Sequence, residues 1–231
     1  MTPAMRILLI NPNTSASISE RMAVPARAAL LPGEHLATCT ASQGPAVIQS
    51  PEQARQAAQT VLQLAQAHGG AHDALIVGMS LDSGLRITRD AMRPRPVIGM
   101  TEAACLVACL QGERFGVLTL GQDMVPLYAA HIAELGLAGR LIGVAAAQWP
   151  DDFDPAEMGV QVSLLQALAQ AAQPLLQQGA SSVVLAGAVL CGYGPALAER
   201  LGQPVLEGTA CAVGLARCCI RQRRPPQGSS A

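Results

Sequence analysis

The chain contains no lysine, little charge and very few aromatic side chains. All 15 basic residues are arginines, which excludes Schiff-base catalysis and a phosphate-binding P-loop, because both need lysine. Charged residues make up 13% of the chain and the formal net charge is -1, so no surface field attracts nucleic acid or an anionic membrane. No apolar run approaches the roughly 18 residues of a membrane helix. We therefore expect a soluble, cytoplasmic protein without a nucleic-acid or membrane partner.

The apolar residues are what the chain has in abundance. They form 50% of its 231 residues, enough to bury a core without disulfides or metals. The cysteines lie at positions 39, 105, 109, 191, 211, 218 and 219, with no C-x-x-C pair. This spacing predicts neither a metal site nor a redox site, and it favours small buried thiols in a reducing compartment.

Two halves of the sequence match at a constant offset of 108 residues. The matched segments are Arg6–Ile10 with Arg114–Leu118, Leu75–Val77 with Val183–Leu185, and Pro96–Thr101 with Pro204–Thr209. One unbroken offset across three motifs predicts a duplicated lobe. We place the lobes at residues 4–110 and 112–219, followed by a flexible tail at 222–231.

Strands and helices alternate in each half. Continuous apolar runs such as Ala74–Val77 predict parallel strands that are covered on both faces. Pro51–His68, after a Ser50 cap, and Met158–Gln178 have helical composition, and Thr101 and Thr209 are predicted to cap two further helices. The fold class is α/β, with two pseudo-symmetric parallel-sheet lobes and a cleft between them.

Ligands of such sheets bind beyond the carboxyl ends of the strands. The loops at those ends are Asn11–Ser15, Met79–Leu85, Thr119–Asp123 and Gly187–Tyr193. In the first of them, the side chains of Asn11, Asn13 and Thr14 and the free N–H groups of the next helix suit an anionic or imide-like ligand. A plain turn followed by an N-cap is the alternative.

The segment Ile10–Ser15 resembles the opening signature of the hydantoin/allantoin racemases of the Asp/Glu racemase superfamily. Further segments that match are Gly44-Pro45, Asp73-Ala74, Asp82–Leu85, Pro96–Gly99, Glu102–Ala104, Arg114–Thr119 and Gly136-Leu137. The resemblance implies two α/β lobes and cofactor-independent proton transfer at the acidic carbon of a small hydantoin, ureide or carboxylate. It also implies a homo-oligomer and no metal.

In that family two cysteines flank the acidic carbon, one removing the proton and the other returning it. The matching positions here are Met79 and Gly187, which are also 108 residues apart. Neither side chain titrates, which argues against a two-thiol mechanism. Cys191, four residues beyond Gly187, either supplies a displaced thiol or is a buried bystander.

Other groups of these loops are further candidates. The candidate catalytic residues are Ser80, Asp82 and Cys191. The Ser80 hydroxyl would bind a substrate carboxylate or carbonyl or cap a helix, and Asp82 would act as a base or cap a helix. Thr119 is the counterpart of Asn11, and His131 is interpreted as structural. The predicted substrate-binding residues are Asn11, Asn13, Thr14, Met79, Ser80, Thr119, Gly187 and Ala188. The alternatives to an isomerase are a single-base enzyme that resembles arylmalonate decarboxylases and a non-catalytic ligand-binding protein.

Overall fold

Short apolar runs form the strands of both lobes. The computed structural model describes residues 5–48 and 50–223. The first sheet contains β1 (Arg6–Asn11), β2 (His35–Thr40), β3 (Ala74–Val77) and β4 (Val97–Gly99). The second contains β5 (Phe115–Leu120), β6 (Leu141–Ala147), β7 (Ser182–Leu185) and β8 (Val205–Glu207). Both sheets are parallel, with the equivalent orders β2-β1-β3-β4 and β6-β5-β7-β8, which confirms the predicted α/β fold with two related lobes.

The helices follow the strands as predicted, with two corrections at their ends. They are α1 (Ala16–Ala28), α2 (Pro51–His68), α3 (Leu85–Ala91), α4 (Met100–Gln111), α5 (Met124–Glu134), α6 (Val162–Gln177), α7 (Gly194–Leu201) and α8 (Gly208–Arg223). Ser50 caps α2 as predicted, since its Oγ accepts a hydrogen bond from Gln53 N at 3.2 Å. The predicted Thr101 and Thr209 caps are wrong, because both residues lie inside the first turns of α4 and α8. Helix α6 begins four residues later than predicted, after a long loop.

Helices α4 and α8 pack on each other and lie between the two sheets. Ala212 and Val213 of α8 join the core of the first sheet, whereas Cys105 and Ala108 of α4 pack with Phe115 of the second. Each half of the sequence therefore needs the last helix of the other half to complete its core.

Two findings concern the ends and the length of the helices. Helix α8 continues to Arg223, so the first two residues of the predicted tail are helical, and residues 224–231 lie outside the described residues. Across the described residues, no helix is both long enough and apolar enough to cross a membrane.

Candidate functional site

The loop after β3 meets the second lobe at the carboxyl ends of the strands. His131 of α5 lies with Nε2 3.1 Å from Oδ2 of Asp82 in this loop. Tyr128, one turn earlier on α5, faces the side chains of Ser80 and Thr119. The structure thus brings three of the predicted residues, Ser80, Asp82 and Thr119, to one place between the lobes.

The Tyr128 hydroxyl is the centre of this cluster. The side chain is fully buried, and its oxygen has no hydrogen bond of normal geometry within residues 5–48 and 50–223. Burial raises the pKa of Tyr128, and the nearby Ser80 and Thr119 hydroxyls offset only part of that increase. The phenol therefore stays protonated at neutral pH, and its hydroxyl is a donor without an acceptor at normal hydrogen-bond geometry in this part of the chain.

Asp82 caps a helix, but not the helix that follows it in sequence. Its two carboxylate oxygens accept from the backbone N–H groups of Thr101 at 3.0 Å and Glu102 at 2.7 Å, in the first turn of α4. This contact replaces the caps predicted at the threonine. A Cβ on Gly99 would lie 2.4 Å from Cγ of Asp82, so the carboxylate fits only above a glycine.

Met79 and Gly187, at the expected thiol positions, present no titratable group. The Met79 side chain packs in the core of the first lobe with Val61 and Leu85. Gly187 has φ 132°, a backbone conformation that strongly favours glycine. A Cβ at Gly187 would nevertheless meet nothing closer than Leu190 Cδ1, at 3.7 Å.

Cys191 is a buried residue of the lobe interface. It packs with Ile18 and Met22 of α1, and Ala188 lies against the same cluster. Burial, together with the nearby Glu207 carboxyl, raises the pKa of the Cys191 thiol, so the thiolate is disfavoured. Of the two interpretations of Cys191, the geometry favours the buried bystander.

Thiol labelling tests this assignment. At pH 8, iodoacetamide should modify the exposed Cys218 and Cys219, while the buried Cys105 and Cys191 react only after unfolding. Peptide mass spectrometry with and without denaturant measures each site. Labelling of Cys191 in the folded protein at the rate of Cys218 would contradict the assignment, and Cys191 would again be a candidate catalytic base.

The second lobe also buries a carboxylate here, but from the opposite strand. Glu207, at the end of β8, occupies the position equivalent to Gly99. Its Oε1 accepts from the backbone N–H groups of Gly192 and Gly194. Burial raises the pKa of Glu207. In each lobe, one carboxylate thus links the ends of the third and fourth strands through hydrogen bonds. Neither Asp82 nor Glu207 is therefore available as a solvated base.

The loop after β1 uses most of its polar groups internally. Asn11 is buried, and its Nδ2 donates to Asn13 Oδ1 and to Ser19 Oγ, each at 2.9 Å. Its Oδ1 accepts from Asn13 N at 3.1 Å, and Thr14 N donates to Pro45 O at 3.2 Å. The hydrogen bonds of Asn11 indicate a structural role for this side chain, which holds the loop to α1. Asn13 is half-buried, and its Nδ2 makes no hydrogen bond to any residue that the structure describes, so it remains the predicted ligand contact of this loop.

Two features limit how a ligand reaches this cluster. Thr119, Tyr128 and Asp82 are all buried, so a ligand reaches these side chains only if neighbouring groups move. A cavity of about 210 Å³ opens beside Pro12, but its walls, which include Gln43 and Thr60, belong to the first lobe alone.

Among the residues described, no group of three or more His, Cys, Asp or Glu side chains is arranged to hold a metal ion.

The chain is similar to known racemases along almost its entire length. It is 29% identical over 220 residues to a hydantoin racemase of Paenarthrobacter aurescens, covering 94% of this chain and 91% of that protein. The crystal structure of an allantoin racemase from Pseudomonas fluorescens superimposes with a TM-score of 0.84 at 28% identity, covering 94% of this chain and 92% of that one. An allantoin racemase from Klebsiella pneumoniae gives 0.83 at 24% identity, with coverage of 95% and 89%.

A family model described as Asp/Glu/hydantoin racemase matches residues 7–216. This match takes in both sheets and every loop of the cluster between the lobes. The chain therefore belongs to the Asp/Glu/hydantoin racemase family.

Proposed function

We propose that the protein transfers a proton at the acidic carbon of a small ureide or carboxylate, without a cofactor and without a pair of thiols. Removing that proton places negative charge on the adjacent carbonyl oxygen. The observation that carries the proposal is the cluster of Tyr128, Ser80 and Thr119 hydroxyls, whose central phenol is protonated and has no acceptor at normal hydrogen-bond geometry among the described residues. Donors placed where charge develops stabilise such an enolate most effectively.

His131 is the general base in this proposal. In the tautomer whose Nε2–H donates to Asp82, the lone pair of the ring lies on Nδ1. The Asp82 carboxylate holds the ring in this tautomer while it also caps α4. His131 would take the proton from the acidic carbon, and the pair of electrons would pass onto the carbonyl oxygen beside Tyr128.

A decarboxylase-like reaction is the second candidate, because the cluster is rich in donors and poor in bases. Loss of carbon dioxide from an activated carboxylate breaks a carbon–carbon bond and leaves the electron pair on an enediolate. That intermediate needs one proton, which the Tyr128 hydroxyl can supply before solvent restores it. The protonated phenol favours this candidate.

Deuterium exchange tests the proposal without knowledge of the product. A 5-substituted hydantoin is incubated with the protein in heavy water, and loss of its C5–H signal is followed by NMR. We expect measurable exchange that falls about 10²-fold in Tyr128→Phe, since removal of one enolate donor has an effect of that order. Exchange in Cys191→Ala should equal that of the wild type, because Cys191 packs among apolar side chains of α1 and burial disfavours its thiolate.

The outcomes separate the candidate functions. Thermal melts first establish that both variants remain folded. Exchange that disappears in Cys191→Ala would contradict the proposal and support a single-thiol mechanism. Binding of the hydantoin with no exchange in the wild type would identify a non-catalytic member of the family, whereas carbon dioxide release from a disubstituted malonate would identify the decarboxylase.

A further inference from the structure

Arg21 is a buried cation without an acidic partner. This residue of α1 is only 2% exposed, although moving an arginine out of water is costly unless a counter-charge is supplied. Ion pairs of the described residues join Arg27 to Glu20 and Arg217 to Glu34, for example, but none includes Arg21. The protein thus maintains a charge in its interior that nothing in the described structure neutralises.

The partners of the guanidinium are neutral. Nη1 donates to the carbonyl oxygen of Gly159 at 3.3 Å, and Nη2 donates to that of Glu157. Cζ lies 5.9 Å from the centre of the Tyr193 ring. Nε is buried and has no partner among the described residues. A planar fork of N–H groups, held on two carbonyl oxygens with one edge unsatisfied, matches the geometry that binds carboxylates.

Arg21 lies at the edge of the space between the lobes. Helix α1 begins directly after the Asn11–Ser15 loop and packs on the turn Ala188–Leu190, which follows Gly187. The contact of its guanidinium with the Tyr193 ring places the charge at the end of the Gly187–Tyr193 loop.

Residues 148–161 lie over Arg21, and we call this segment the covering loop. Most of its residues are exposed. The loop closes on itself where Gln161 Nε2 donates to Asp154 O at 2.6 Å. Gln161 N donates to Tyr193 Oη at 3.1 Å, and Arg21 holds the carbonyls of Glu157 and Gly159. Few hydrogen bonds therefore hold the loop over the guanidinium, and they involve neutral groups that a charged ligand can displace, whereas Phe153 anchors the loop to the core of the second lobe.

We infer that Arg21 binds a carboxylate group of the ligand, and that the Glu157 and Gly159 carbonyls are the partners it exchanges for that group. This inference rests on the proposed function and narrows its substrate class to an anionic ureide or a dicarboxylate, as opposed to a neutral hydantoin. The carboxylate would supply the missing counter-charge and satisfy the Nε edge. The covering loop would be released as the ligand enters.

Paired probes test the inference. Hydantoin-5-acetic acid and its primary amide have nearly the same shape, but only the first carries a carboxylate. By titration calorimetry we expect the acid to bind about 10- to 100-fold more tightly than the amide, as for a charge-assisted bidentate contact. Arg21→Gln should abolish this preference. Arg27→Gln, on the same helix but in an exposed ion pair, should keep it.

Hydrogen exchange of the wild type provides a readout that does not depend on the folding of a variant. Hydantoin-5-acetic acid, but not its primary amide, should accelerate the exchange of backbone N–H groups in residues 148–161, because the acid displaces the loop carbonyls from Arg21. Equal affinities for acid and amide, or a preference that survives in folded Arg21→Gln, would overturn the inference while leaving cleft binding intact. If neither probe binds, both the inference and the proposed function are wrong.

Discussion

The double substitution Met79→Cys with Gly187→Cys should give the protein a thiol-dependent racemase activity. The two positions are 108 residues apart and follow equivalent strands, so the new thiols would stand at matching places in the two lobes. We expect racemisation of a 5-substituted hydantoin, followed by chiral chromatography, to rise about 10²- to 10⁴-fold, the range of a well-placed acid–base pair.

Each substitution has a structural cost that must be measured with the activity. Gly187 has φ 132°, so a cysteine there is strained by about 1–3 kcal/mol. Met79 is buried in the first-lobe core, and a smaller side chain leaves a cavity. The space around Gly187 nevertheless admits a Cβ, since the nearest atom is 3.7 Å away. We therefore expect a lower melting temperature and a folded protein.

The matched control is the double serine variant, which introduces the same backbone strain and nearly the same cavity but no thiol. It should racemise no faster than the wild type. Single cysteine variants should exchange deuterium into one enantiomer without inverting it, because one base serves only one face of the carbon. A folded double cysteine variant that binds hydantoin without racemising it would show that the two positions do not oppose each other across the ligand.

The repeated lobe could be predicted from the sequence because buried strands leave a strong local signal. Apolar runs such as Ala74–Val77 appear in the structure with the same bounds, and the constant offset places their partners. The packing of α4 and α8 between the sheets could not be predicted in this way. Both helices have small apolar faces, and local sequence does not reveal which sheet such a face contacts.

The candidate site was predictable in its loops but not in its contacts. Ser80, Asp82 and Thr119 come from the predicted loops, whereas Tyr128 stands within α5 and reaches them only through the tertiary fold. Its spacing from His131, three residues along one helix, was the available signal. The sequence gives no signal for Arg21, because an arginine on a helix is usually solvated and the burial of this one depends on tertiary contacts with the covering loop and Tyr193.

Asp82→Ala should be the most destabilising single substitution at this site. It removes the acceptor of one buried and one part-buried N–H group at the start of α4, and also the partner of His131. Leaving such groups unsatisfied should lower the free energy of unfolding by about 3 kcal/mol, because hydrogen bonds to a charged acceptor are among the stronger ones. The melting temperature should then fall by roughly 6–12 °C for a chain of this size.

Two further variants separate capping from general loss of charge. Asp90→Ala removes an exposed carboxylate whose ion pair with Arg93 is at 2.8 Å, and it should change stability by less than about 1 kcal/mol. Asp82→Asn keeps one acceptor oxygen, so its loss of stability should lie between those of Asp82→Ala and Asp90→Ala. Hydrogen exchange should be faster at the backbone amide of Thr101 or Glu102 only. An Asp82→Ala protein with the same melting temperature as the wild type would mean that the stability of α4 does not depend on this carboxylate. Asp82 would then be free to act as the base that the thiol positions lack, and the role assigned to His131 would pass to it.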